Sequence, residues 1–443
     1  MKVNDFGKPL KEQFMNFIRN FDQQKLLNHK TPAWLKTLRQ QAWQRFAQTG
    51  FPTVKEEEWK YTNIAPIAER QFELIFENGQ PRDSEALKDY LNPDELNLTF
   101  INGIFSPGLS NVNDLPKGVE IRTLREVLNQ GGPEVKQFFQ NQEIDKESGF
   151  IALNKALSQE GAYIKIWDKT VVDRLIHVIY LTDTQKEIIY SPHTFIHLGH
   201  SSEAKICESH LSFNQESVYF VNSLTDVSLK ENAALWYCKA QSESRKAFHI
   251  ASTRVEEKRN SSFNGFALDL GSRIARNSLD ISLNGEGGSA TLNGLYCVDH
   301  EQHVDNHTCV DHRQPNATSN QLYKGILNGE SRAVFNGKII VRQAAQKTNS
   351  YQLNKNILLG KNCLVDTKPQ LEIFADDVKC THGATIGQLN EDEIFYLRTR
   401  AIPKKEAVKI LSRGFVDDVL QKIPSQSIVE KLNFLLEPTF AHL

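Results

Sequence analysis

The sequence predicts a mainly β chain, a long stack of short strands set between a helical N-terminal region at residues 1–98 and a helical C-terminal region at residues 390–443. Three observations carry that prediction. From about residue 160 to 389, short segments alternate apolar and polar side chains with period two, as in AYIKIWD, HVIYLTD, AALWYCKA, TRVEEKR, DISLNG and LEIFADD. Asn-Gly pairs recur in the same span, at Asn264-Gly265, Asn284-Gly285, Asn293-Gly294, Asn328-Gly329 and Asn336-Gly337, and predict sharp corners with positive φ. Helical spacing of apolar residues is confined to the two ends of the chain.

Two architectures accommodate many short strands without intervening helices: an antiparallel sandwich or barrel, and a coiled β-helix whose turns stack as parallel strands. Length favours the second. A sandwich closes with fewer strands than about 230 residues supply, whereas a solenoid grows by adding coils to one continuous core.

The elements follow in order. In TPAWLKTLRQQAWQRFAQTGFP, Thr31 is the expected N-cap, Pro32 the first helical residue and Gly50 the stop, with Trp34, Leu35, Leu38, Ala42 and Phe46 at helical spacing. The β core is placed at 99–389, its stretch 99–159 being the least patterned. After it, NEDEIFYLRTR opens with Asn390 and Glu393 in a capping-box arrangement. IPKKEAVKILSRGFVDDVLQKI spaces Val408, Leu411, Phe415 and Val419 along one face, and a third helix is expected around SIVEKLNFLL. This unit is apolar enough to cap the solenoid end or to meet a partner.

Composition excludes several function classes. Lys plus Arg number 52 against 54 Asp plus Glu, so no summed field favours nucleic acid or an anionic membrane. The N-terminus MKVNDFGKPLKEQF has no apolar signal-peptide core and no run of about 18 apolar residues follows, which predicts a cytoplasmic protein. Six scattered cysteines without a C-x-x-C pair read as reduced thiols, not a disulfide framework or zinc ribbon. No G-x-x-x-x-G-K-[ST] loop, no strand-to-helix G-x-G-x-x-G and no G-x-S-x-G elbow occurs, so nucleotide hydrolysis, dinucleotide binding and an esterase-type serine lack their sequence basis.

Two constellations remain. CVDHEQHVDNHTCVDH gathers His303, His307, Cys309 and His312 among acids. As a strand it would line one face with His303, Asp305, His307, Cys309 and Asp311, all metal-type donors. A single strand holds them in a row, so a zinc site would need ligands from other coils or a second chain; the alternative is a polar ladder or subunit surface. In FADDVKCTHGATIG, Cys380 and His382 share a strand face, where an imidazole favours a reactive thiolate. A structural thiol and a hydrogen-bonded histidine are the alternative there. Asp376 and Asp377, being adjacent, face opposite ways unless the chain kinks.

The ordered pieces RNSLDISLNGEGG, HVDNHTCVDH, TSNQLYKGIL, FNGKIIV, QLNKNILL, KPQLEIFADDVKCTHGATIG and FYLRTR, preceded by EEEWKYTNI and FIALNKAL, resemble the SufB/SufD family of iron-sulfur cluster assembly proteins. Gly383 and Leu397 stand where the SufB pattern tends to have Glu and Cys, so the SufD branch is the closer match. The resemblance implies a right-handed parallel β-helix flanked by helical regions and a non-enzymatic scaffold role. It implies pairing with SufB through the β-helices and with the ATPase SufC through the C-terminal region, which would make the missing phosphate loop expected.

Carried over by position, the resemblance makes His382 a cross-chain ligand for a transient iron-sulfur cluster or iron, with Cys380 beside it, and Phe395, Tyr396 and Arg398 contacts for SufC. It implies no stably bound cofactor, allows a homodimer of the isolated chain, and leaves a flavin unassigned. One departure stands out: the family usually continues Arg-Gly-Ile, whereas this chain has Arg400-Ala401-Ile402. The competing readings are a β-helix enzyme acting on acidic polysaccharide through Asp376 and Asp377, and a zinc protein built on the His303 to His312 run.

Overall fold

The computed structural model describes residues 17–19, 31–75, 87, 90–131, 136 and 144–442. The reading of MKVNDFGKPLKEQF lies outside them. The core is a parallel β-solenoid of about eight turns. Its strands are β1 (Leu96–Ile101), β2 (Ile176–Leu181), β3 (His193–Leu198), β4 (Glu203–Leu211), β5 (Tyr219–Leu229), β6 (Ala234–Ser242), β7 (Phe248–Glu257), β8 (Ser262–Asp269), β9 (Ile274–Leu283), β10 (Ser289–Val298), β11 (His303–His312), β12 (Thr318–Leu327), β13 (Arg332–Val341), β14 (Asn349–Leu358), β15 (Leu364–Ile373) and β16 (Lys379–Gly387). From β4 onward the even-numbered strands pair in one sheet and the odd-numbered strands in the other. Each coil therefore crosses over through the opposite sheet, which gives parallel strands without helical crossovers.

Register is kept from coil to coil: His303 lies opposite Ile274 on one side and Arg332 on the other. One corner series has positive φ at Ser201, Asn232, Asn260, Gly287, Asn316 and Lys347, spaced about 30 residues apart as expected of a solenoid repeat. Asn supplies half of these because its short polar side chain tolerates the left-handed region.

The Asn-Gly expectation is corrected here. Gly329 does turn a corner with φ 62°, but Asn264-Gly265, Asn293-Gly294 and Asn336-Gly337 lie inside β8, β10 and β13. Gly285 follows β9 without a positive φ, Gly287 taking that role. A strand glycine here makes room for a side chain of the lumen. Gly294 pairs with Tyr323 in the next coil, and a Cβ at Gly294 would run into the Tyr323 ring.

At the N-terminal side, α1 (Ala33–Thr49) begins one residue later than expected, with Pro32 in the N-cap position in place of Thr31. It stops at Gly50, φ 67°. Leu35, Leu38, Ala42 and Phe46 are buried, the last beside Phe150 of α2 (Gly149–Leu157) and Phe220 and Phe248 of the solenoid wall. The first buried strand starts at Leu96, and residues 99–159 are not continuous solenoid. They hold a strand at Val119–Thr123, a helix at Leu124–Gln130 capped by the Thr123 side chain, and α2.

The C-terminal unit consists of α3 (Glu391–Thr399), α4 (Lys404–Leu420) and α5 (Gln426–His442). The buried face of α4 is Ala407, Ser412, Val416, Val419 and Leu420, rotated from the expected stripe. That face and α5 pack on the outer side of the even-numbered sheet, against Phe266, Leu295, Cys297 and Ile326. Lys324 inserts beneath α4, donating to the Phe415 carbonyl at 2.8 Å and pairing with Asp418. Lys431 of α5 pairs with Glu95 at 3.0 Å. These helices cover a side wall and not the end of the solenoid, because the apolar outer face they need lies on the wall.

Candidate functional site

Among the described residues, the solenoid ends on two strands that each have a single neighbour, β15 on β13 and β16 on β14. Their outer edges carry unpaired backbone groups, the kind of edge proteins normally cover. Leu364, Ile373, Phe374 and Ile386 are exposed at this end, Phe374 by 59%. A row of unpaired backbone beside exposed apolar side chains is an interaction surface by its chemistry.

Cys380 and His382 sit on β16, in register with Ser350 and Gln352 of β14. Ser350, Gln352, Asn354 and Asn356 are all buried on the lumen side. Cys380 and His382 therefore face the lumen too, as their shared parity predicts, and His382 is exposed because no further coil covers it. The expected imidazole-assisted thiolate is not what the surroundings favour. Cys380 is half-buried against Ile339, Val341 and Ala375, and burial raises its pKa, opposed by a backbone hydrogen bond from Ser350. The thiol is the resting form at neutral pH. Asp376 and Asp377 lie in the bend between β15 and β16, where the Asp377 N–H donates to Gln346 Oε1 at 3.0 Å. Asp377 helps shape the corner through this bond, and both acids are exposed to solvent.

The His303 to His312 run is divided by the pleat. His303, His307 and Cys309 lie on the outer face, while His312 points inward and bonds Ser319 Oγ at 2.9 Å. The four-donor zinc set is thereby corrected: alternation in a strand puts His312 on the opposite face from the other three. Burial pushes the Cys309 thiol up to about 12, away from the ligand form. Among the described residues no group of three or more His, Cys, Asp or Glu side chains is arranged to hold a metal ion.

The outer face instead seats the segment EEEWKYTN. Thr62 Oγ1 lies 2.8 Å from His303 Nε2 and donates to Asp305 at 2.5 Å. His307 lies between Glu58, at 3.3 Å, and Asp305, at 2.9 Å. The Arg276 guanidinium covers the Trp59 ring at 3.8 Å and pairs with Asp305. Burial would raise the Asp305 carboxyl; Arg276 and His307 outweigh it and hold the group well below the carboxylate range. The motif's density of polar groups is a docking seat. Sequence reading missed Glu58, Trp59, Thr62 and Arg276 as its partners because two of the contacts join residues more than 240 positions apart, and no local pattern marks them.

On α3, Asn390 caps the helix by accepting from the Asp392 N–H at 2.8 Å, and Ile394 is the buried residue. Phe395 and Tyr396 are 65% and 57% exposed, and Arg398 is exposed beside them. Ala401 has φ 64°. Ile402 N–H donates to the Leu397 carbonyl and Ala401 N–H to the Arg398 carbonyl, a Schellman end with alanine where glycine is usual. The turn is kept, and the strain of a Cβ in the left-handed region is absorbed.

Comparison with known proteins matches two family descriptions: "SUF system FeS cluster assembly, SufBD core domain" over residues 180–415, and "SufBD protein N-terminal region" over residues 9–178. An iron-sulfur cluster assembly SufBD family protein of Synechocystis is 31% identical over 86% of this chain and 86% of its own length. The iron-sulfur cluster assembly protein SufD of Escherichia coli is 30% identical over 89% of this chain and 90% of its own. SufD of Bacillus subtilis is 24% identical over 95% and 96%. The chain belongs to the SufBD family of SUF-system iron-sulfur cluster assembly proteins.

Proposed function

We propose that this chain is a non-enzymatic, cytoplasmic scaffold subunit that pairs with SufB through the open end of the solenoid and carries SufC on its C-terminal helices. The observation that carries the reading is the terminal coil. It combines unpaired strand edges, exposed apolar side chains and a lumen-facing His382, and it supplies too few ligands to complete a site alone. A partner adding strands to the two edges would cover the apolar residues and bring further donors over His382. Iron or a nascent cluster would be held transiently between the chains, as cargo, with Cys380 in thiol form beside it.

Phe395, Tyr396 and Arg398 support the SufC assignment as an exposed aromatic and basic patch on a helix with little burial of its own. The absence of a phosphate loop from the sequence fits a subunit whose ATP hydrolysis resides in a partner. Co-purification tests the reading: tagged chain produced with SufB and SufC is expected to recover both. Recovery of neither would refute the scaffold role. Loss of SufC alone from a Phe395→Ala, Tyr396→Ala double variant would locate its contact.

A further inference from the structure

Beneath α5, the outer face of the even-numbered sheet carries a row of three reactive side chains. His177 of β2, Cys207 of β4 and Cys238 of β6 are in register on neighbouring strands, so an imidazole and two thiols lie side by side. All three are fully buried, and both cysteines are free. Register partners on adjacent strands lie about 4.8 Å apart, inside the roughly 4.4–6.8 Å between Cα atoms that a disulfide spans. Among the described residues no other two of the six cysteines are register partners.

The surroundings make the two sulfurs unlike. Cys207 Sγ lies 3.7 Å from Ser209 Oγ, which in turn is 2.8 Å from His177 Nε2 and 2.9 Å from the Tyr90 hydroxyl. Glu95 lies 3.4 Å from His177 Nδ1 and pairs with Lys431 of α5 at 3.0 Å. A hydrogen bond from the Cys238 thiol and the charge of His177 hold Cys207 well below the ordinary thiol range, against burial. Burial opposes charge on His177, but Cys207 and Glu95 outweigh it and raise its pKa. Cys238 is pushed up by its contact with Cys207 and by burial. One sulfur is therefore the nucleophile and the other keeps its proton. Cys297, buried in the same wall opposite Ile326, has no such neighbour, and burial pushes its thiol up to about 12.

We propose that Cys207 and Cys238 are a peroxide-responsive pair that closes to a disulfide when α5 lifts from the wall. Leu432 and Leu435 of α5 pack in the same cluster as both cysteines. Lys431 and Ser427 fasten the helix through Glu95, and Lys431 also donates to the Tyr90 carbonyl at 2.8 Å. Hydrogen peroxide reaches the sulfurs through local opening of this helix. The Cys207 thiolate attacks one peroxide oxygen, the O–O bond breaks, and the departing hydroxide takes the His177 proton to become water. Cys238 then attacks the sulfenic sulfur of Cys207. The S–S bond forms, the S–O bond breaks, and the leaving hydroxide takes the Cys238 proton as a second water. The two sulfurs lose two electrons, the peroxide gains them, and both protons come from inside the site. A thiol reductant reverses the change by exchange.

The test uses the full chain, reduced and then freed of reductant. It is exposed to hydrogen peroxide, its remaining thiols are blocked with N-ethylmaleimide in denaturant, and crosslinks are mapped by non-reducing proteolysis and mass spectrometry. A peptide joining Cys207 to Cys238 is expected, lost again on treatment with dithiothreitol. Recovery of both as blocked thiols, or of Cys207 as sulfinic acid without a crosslink, would overturn the proposal. Cys207→Ser should abolish the crosslink; if that variant does not fold, the wild-type map decides alone. Thermal melts establish that Lys431→Ala and His177→Gln are folded. Lys431→Ala is expected to crosslink about tenfold faster because α5 is loosened, and a wild-type rate would overturn the α5 gate. His177→Gln is expected to crosslink about tenfold more slowly because the thiolate loses its partner, and a wild-type rate would overturn the part given to the imidazole.

Discussion

Replacing Ala401 by glycine should stabilise the C-terminal helical unit. Ala401 adopts φ 64° at the end of α3, with the two backbone hydrogen bonds of a Schellman end in place. A Cβ in this conformation costs roughly 1–2 kcal/mol. Glycine removes that strain but has more unfolded-state entropy to lose, roughly 0.5–1 kcal/mol. The net expectation is about 0.5–1 kcal/mol in favour of Ala401→Gly, or about two- to fivefold in the local opening equilibrium. Amide hydrogen exchange across residues 391–402 reads that quantity directly, because α3 buries little and opens at a lower free energy than the solenoid. Slower exchange confined to α3 and its end is the expected result. Unchanged or faster exchange would mean that the strain is not there, and the left-handed assignment of Ala401 would fail.

His382→Ala should melt as wild type does, since the side chain is exposed, yet lower cluster maturation in cells under iron limitation; unchanged maturation would remove His382 from the site. Docking of EEEWKYTN should depend on pH from both directions. Burial lowers His303 from 6.5 to about 4, so its contribution is lost as pH falls below 6.5 toward 4. His307 is raised, burial being outweighed by Asp305 and Glu58, so its contribution is full below 6.5 and is lost as pH rises through the raised value. Quenching of Trp59 fluorescence in a variant with the other tryptophans replaced should show both limbs, and His307→Gln should abolish the alkaline one; an unaltered alkaline limb would refute the assignment. Gly294→Ala should destabilise the solenoid by roughly 2 kcal/mol by forcing a methyl into Tyr323. Denaturant midpoints measure it, and partial recovery on adding Tyr323→Leu would identify the clash as the cause.

Much of the architecture is readable from local pattern. Period-two segments such as AYIKIWD and DISLNG lie in strands, Gly50 stops α1 and Asn390 starts α3, because side-chain alternation and end conformations depend on neighbours within a few residues. The strained Ala401 end is legible for the same reason. Cys380 and His382 sharing a face also follows from parity alone.

Local pattern misassigns the elements whose role is set across coils. Asn293-Gly294 has the composition of a turn, but in the fold its glycine is a vacancy for the Tyr323 ring one coil away. His303, His307, Cys309 and His312 look like one ligand set, and the fold spends them on Thr62, Glu58, burial and Ser319 respectively. The amphipathic C-terminal helices are evident in sequence, but whether they cap the end or line the wall depends on which solenoid surface is apolar. Strand identity and helix ends are short-range properties, determined by residues adjacent in the chain. The partners of polar groups and the open terminal coil arise from register between strands about 30 residues apart, and only the tertiary structure decides that register.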